Sequence, residues 1–191
     1  PMAVTTTRSS TEVAVDPGLL YVAPIGTTEP TASTDLAAAS LPSAWREVGY
    51  TEDGSVFKYD VKSEDIEVAE ELDPILSMIT GRTGTLEFKM AQSTRRNLYL
   101  ALNMGASGAS DATTLEPPDP SAMVRVMLLH VSNDAGAVRG TLFRQCFNTG
   151  GLELSFSKAP DKVLLPVMFK LEKPTSKTPF KVFPNASGII A

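Results

Sequence analysis

The chain has 191 residues, 42% of them hydrophobic, and a formal net charge of −5. That length and apolar content suit one sizeable core and exclude wholesale disorder. No run nears the roughly 20 apolar residues of a membrane-spanning helix, the polar start from Pro1 to Thr11 lacks a signal-peptide core, and the acidic balance, with Arg95-Arg96 the one basic cluster, argues against tight duplex binding.

Residues 1–18 read as a polar arm that needs a neighbour to hold it in place. Leu19 to Ala23 (LLYVA) reads as a first strand, stopped by Pro24, with Gly26 turning the chain. Residues 27–43, rich in Thr, Ser, Ala and Pro, form a long loop with one helical turn near Asp35 to Ala39. A loop of that length in a compact domain usually carries function or stays unstructured. Trp45 to Gly49 opens the organised middle, and Asp53-Gly54 signals a turn. Ser55 to Lys62 alternates apolar Phe57, Tyr59 and Val61 with charged Lys58, Asp60 and Lys62; Asp65 to Ala69 continues the pattern of a half-buried antiparallel strand.

Asp73-Pro74 ahead of Ile75, Leu76, Met78 and Ile79, closed by Gly81, predicts a short helix: Asp caps, Pro fits the first turn, Gly ends it. Thr83 to Met90 predicts a strand. Ser93 or Thr94 then caps a helix to about Asn103, with an apolar stripe of Leu98, Ala101 and Leu102. Residues 105–121 form a second long loop inside one domain spanning 19–191. Met123 to Val131 is apolar on both faces, which demands a central strand or one covered by a neighbouring molecule. Val138 to Phe147, Gly151 to Ser157 and Val163 to Leu171 follow as strands; Pro166 lacks a donor and places the last of these at an edge or bulge. Phe180 to Phe183 adds a short final strand. With about eight to ten strands and one helix, the fold class is mainly β: a two-sheet antiparallel sandwich or partial barrel with one flanking α-helix, an extended N-terminal arm and long loops.

Active-site logic finds little purchase. The single His130 lies within a strand pattern, and the single Cys146 lies in an apolar run, so neither has partners for metal or nucleophilic chemistry. Gly81-Arg82-Thr83-Gly84 and Asn148-Thr149-Gly150-Gly151 lack the Lys-Ser or Lys-Thr of a phosphate-binding loop and read as turns. The carboxylates Glu64, Asp65, Glu67, Glu70, Glu71 and Asp73 read as a solvated strand face before an acid–base pair. No catalytic residue, cofactor or metal is expected.

Three segments resemble the major tail (tail tube) proteins of siphophages, in particular those of phages infecting actinobacteria: LLYVAPIGTTEPT (Leu19 to Thr31) leading to WREVGYTEDG (Trp45 to Gly54), DIEVAEELDPI (Asp65 to Ile75), and TGTLEFKMAQSTRRNLYLALN (Thr83 to Asn103). Gln92 stands where the resemblance leads one to expect Glu, and Arg95-Arg96 is more basic than expected. The resemblance implies a non-enzymatic virion subunit assembled in the host cytoplasm. Six copies would close a ring; rings would stack helically into a tube around a tape-measure protein, between a tail terminator and a distal tail protein, and DNA would pass through without sticking. Asp65, Glu67, Glu87 and Glu153 are the candidates to face the lumen, where carboxylates would repel phosphates. The N-terminal arm and both long loops are candidates for ring-to-ring contacts. Alternatives are a tail terminator, a head decoration protein or, further off, a carbohydrate-binding β-sandwich.

Overall fold

A computed structural model describes residues 18–66, 73–106, 114–134, 137–154 and 162–184. Among these residues eight strands run in chain order: β1 (Leu19–Pro24), β2 (Arg46–Glu47), β3 (Thr51–Ile66), β4 (Leu76–Met90), β5 (Val126–Asp134), β6 (Ala137–Asn148), β7 (Leu165–Leu171) and β8 (Phe180–Phe183). One helix, α1 (Arg95–Ala101), follows β4. All strand pairs are antiparallel, in the order β2-β1-β5-β6-β7-β4-β3, with β8 added on β6. The expected mainly-β, antiparallel architecture with a flanking helix is therefore what the chain adopts.

The sheet is continuous and curls over one core. β6 makes the bend: it pairs with β5 along one side, and on its other side with β8 at residues 140–143 and with β7 at residues 146–148. Phe57 on β3 meets Phe143 on β6 at 4.9 Å between ring centroids, although β4 and β7 separate those strands in the sheet. Leu20, Val22, Leu86, Phe88, Leu128, Phe143, Val167 and Phe169 fill the space between, and Leu100 and Ala101 of α1 close it from the side. Thr94 starts α1, its hydroxyl accepting from the Asn97 amide at 3.3 Å. Asn97, Leu100 and Ala101 are the buried residues of that helix, so its packed stripe is rotated from the expected Leu98, Ala101 and Leu102.

β1 and β5 are buried on both faces, as the unbroken apolar run of β5 requires. Leu128 looks into the main core, while Tyr21, Met127, Leu129 and Leu142 form a second cluster on the opposite face. No neighbouring molecule is needed there, contrary to one of the two expectations for β5. Residues 27–45 of the same chain fold across that face, laying Leu36 and Trp45 on it, each almost wholly buried. A 3-10 turn, Ser33–Leu36, presents Leu36 so close to Gly140 that a Cβ there would lie 2.7 Å from a Leu36 methyl.

This strap is latched as well as packed. The Glu29 carboxylate accepts from Arg144 Nε at 3.0 Å and from Lys177 Nζ at 2.6 Å. Trp45 Nε1 donates to Thr28 O at 3.1 Å, and Lys181 Nζ to Thr31 O at 3.2 Å. Asp35 accepts from the Thr31 hydroxyl and from the Thr31 and Ala32 amides, bonds that hold its carboxyl below the usual range.

Two asparagines join α1 to the sheet. Asn103, at φ 56°, donates to Asn148 O at 2.8 Å and accepts from the Asn148 amide at 2.6 Å. The Asn148 side chain donates to Ala101 O and accepts from the Met168 and Gly150 amides. Its carboxamide replaces the strand partner that β7 lacks here, since β6 ends at Asn148. Pro166 sits two residues before Met168, so its missing N–H points to the same side, beyond the end of β6. The expectation of an edge holds locally, although β7 lies between two strands.

Candidate assembly surface

The sheet ends on β3, whose 16 residues pair with β4 on one side and, among the described residues, with no strand on the other. An open strand margin is a row of unsatisfied amides and carbonyls that recruits another strand unless it is blunted. The opposite margin is β2, two residues long.

β3 and β4 also form a hairpin longer than the body beneath it. β7 supports β4 only over residues 85–90, and Tyr59, edge-on to Phe180 at 5.0 Å between ring centroids, is the last aromatic prop under β3. Beyond Tyr59 and Arg82 the two strands continue unsupported to Ile66 and Leu76. The expected helix after Asp73-Pro74 is not there. That stretch is β4 itself, with Ile66 facing Leu76, Glu64 facing Met78 and Ser63 facing Ile79. The Asp-Pro and Gly signals are local; a ladder of cross-strand bonds from a strand already formed outweighs them. The register shift at Lys62/Ser63 inserts an extra residue in β4 near Gly81, and Gly81 to Gly84 lies within the strand, not in the turn expected. At the base, Asp53 and Gly54, both at positive φ, form a bulge inside β3 and not the turn between elements that the pair suggested.

The unsupported part of the hairpin carries much of the molecule's exposed apolar surface. Ile75, Leu76, Met78 and Ile79 are 53–59% exposed, and Val61 is 51% exposed. Register puts Ile66, Leu76 and Met78 on one face and Val61 and Ile79 on the other. A free two-stranded hairpin is marginal in water, and apolar groups on both of its faces call for cover on both.

The four lumen candidates part company. Glu87 is on the outward face of β4, opposite Leu86 and Phe88, and accepts from Lys58 Nζ at 2.9 Å. Glu153 lies in an irregular stretch, residues 151–154, where a strand was expected; the rest of that expected strand is outside the described residues. Glu87 and Glu153 line one cleft of about 470 Å³ with Glu52, Asp53 and Lys89. Lys162 is ion-paired to Glu52 and Lys89 to Asp53. Asp65 stands on the hairpin, accepting from the Ser77 hydroxyl, about 30 Å along the strand from Glu87. Glu67 lies outside the described residues.

Cys146 is fully buried, and burial pushes its thiol far above the ordinary range, the state of an inert core residue. His130 lies on β5 between Leu20 and Thr141, and Gly18, at φ +77°, lets the chain pass its ring. Among the described residues no group of three or more His, Cys, Asp or Glu is placed to hold a metal, and no helix is long and apolar enough to cross a membrane.

What stands out is an open strand margin and an exposed apolar prong, the kind of surface an assembly protein presents. Residues 6–178 match the family model described as phage tail tube protein, and the chain belongs to that family. No curated protein matches it. Membership supports a structural role in the tail tube of a phage virion, in association with itself and other tail proteins.

Proposed function

We propose that the chain is the repeating subunit of the tail tube of a long-tailed, non-contractile phage. Six copies close a ring, and rings stack helically around a tape-measure protein between a tail terminator and a distal tail protein. The tube, assembled in the host cytoplasm, later conducts the genome. The observation that carries this reading is the open 16-residue margin of β3. A neighbour's strand added there satisfies its free amides and carbonyls, and head-to-tail repetition of an unlike-edge contact either closes a ring or runs on as a filament. Glu87 and Glu153, which share a cleft, are the residues proposed to face the bore. The lysines beside them are held by carboxylates, which limits the positive charge offered to passing phosphates.

Electron microscopy and light scattering of the concentrated protein test the proposal. Hexagonal rings and hollow tubes are expected. Protein that stays monomeric at high concentration, even with other tail proteins added, refutes it; single rings that never stack indicate a terminator instead.

A further inference from the structure

The two ends of the β3–β4 ladder differ in chemistry. At the free end, Glu64, Asp65 and Asp73 are exposed beside Leu76, Met78 and Ile79. Residues 63–81 hold six carboxylates and no cation, more than the chain's whole net charge of −5. The remainder is close to neutral, with 17 cations and 16 carboxylates. At the base, where Thr51 pairs with Met90, the next residue outward is Tyr50, 76% exposed, whose carbonyl accepts from the Ala91 amide. Arg95 and Arg96, both exposed, follow at the start of α1. That start is pinned to the same corner by the buried Asn97, which donates to Val48 O at 3.0 Å and Gln92 O at 2.7 Å.

We infer that the acidic, apolar prong of one copy docks on the Tyr50–Arg95–Arg96 corner of a second copy. The inference rests on the tube reading and names the contact that propagates it. Met78 faces Glu64, 13 residues along β3 from Thr51, so prong and corner are about 40 Å apart in one molecule and cannot meet within it. A contact between unlike patches at opposite ends places copies end to end, and where the rotation between them does not close it extends an assembly lengthwise. The corner offers what the prong lacks: a basic surface, with the exposed Arg96 guanidinium for its carboxylates, and an aromatic face for its aliphatic side chains. The second apolar face of the prong is then left for the copy beside the one it docks on. Carboxylate–guanidinium attraction at an exposed rim makes the step salt-sensitive.

The test is a charge swap in the full chain. Arg95→Glu with Arg96→Glu, and separately Glu64→Lys with Asp65→Lys, are each expected to raise the concentration needed for tube growth about tenfold. The four changes together restore growth toward that of the parent chain. Mixing a Met78→Cys chain with a Tyr50→Cys chain under mild oxidation is expected to give a disulfide-linked pair, Cys146 being buried. Thermal melts of each variant at low concentration confirm folding. Tubes that grow normally from both reversed chains, or assembled tubes that yield no linked pair, overturn the docking and leave the tube reading intact. A parent chain that forms neither rings nor tubes overturns both.

Discussion

Replacing Glu29 by Gln tests whether the strap is held by charge or by packing alone. The carboxylate is only 18% exposed and Arg144 only 12%, so the guanidinium depends on Glu29 for its counter-charge, keeping Thr178 as a neutral partner. Lys177 is 57% exposed, and its pairing contributes little. Hydrogen bonds to charged groups are worth roughly 1.5–3 kcal/mol, so the loss is about 2 kcal/mol, or roughly 4–8 °C in melting temperature for a chain of this size. Partial burial pushes the Glu29 carboxyl upward, but the bonds from Lys177 and Arg144 outweigh it and hold the group below its ordinary value. The unfolded chain then takes up the proton first. The stabilisation is complete above the ordinary carboxyl value of about 4.5 and fades as pH falls through the lowered folded value. Urea titrations at dilute, unassembled concentration, run at pH 7 and at pH 3, measure both. The gap between parent and variant is expected to narrow in acid. A gap under about 0.5 kcal/mol at pH 7, or one equally wide at pH 3, refutes the latch.

Asn148→Ala removes the donor to Ala101 O and the acceptor of the Met168 and Gly150 amides, leaving one buried and two part-buried backbone groups unmet. A loss of about 3–4 kcal/mol in urea is expected; a change below about 1 kcal/mol would mean that water replaces the side chain at no cost. Glu87→Lys combined with Glu153→Lys should leave tubes of normal length in micrographs yet slow genome delivery, because phosphates would bind the bore. Unchanged infection kinetics in that variant would remove both residues from the lumen.

Much of the sheet could be read from period-two alternation. Leu165, Val167, Phe169 and Leu171 lie on one buried face as their spacing requires, and Thr94 caps α1 as its side chain allows. Residues 75–79 misled, because Asp-Pro with a following Gly is a helix signal within nine residues, whereas the strand they join is specified by β3, at least ten residues earlier. The full cover on β5 was half legible: the doubly apolar run demanded it, but the strap that supplies it is a Thr-, Ser- and Pro-rich segment whose anchors, Leu36 and Glu29, look unremarkable one at a time. Asn103 and Asn148 carried no signal beyond a plausible turn, since their meaning lies in a pairing 45 residues apart. Of the lumen candidates, alternation placed Glu87 on the outward face, but no local pattern could show that Asp65 stands at the far end of the same ladder.

The strap sets an order of events during synthesis. Glu29 leaves the ribosome 115 residues before Arg144 and 148 before Lys177. At about 5–20 residues per second, that interval is roughly 7–30 s. Until β5 and β6 have followed, Leu36 and Trp45 have no sheet to lie on, and until Lys177 has followed the strap over β5 is not fully latched. A nascent chain is thus greasy on a surface that the finished subunit hides, and it becomes fit for its neighbours only when nearly its last strand arrives.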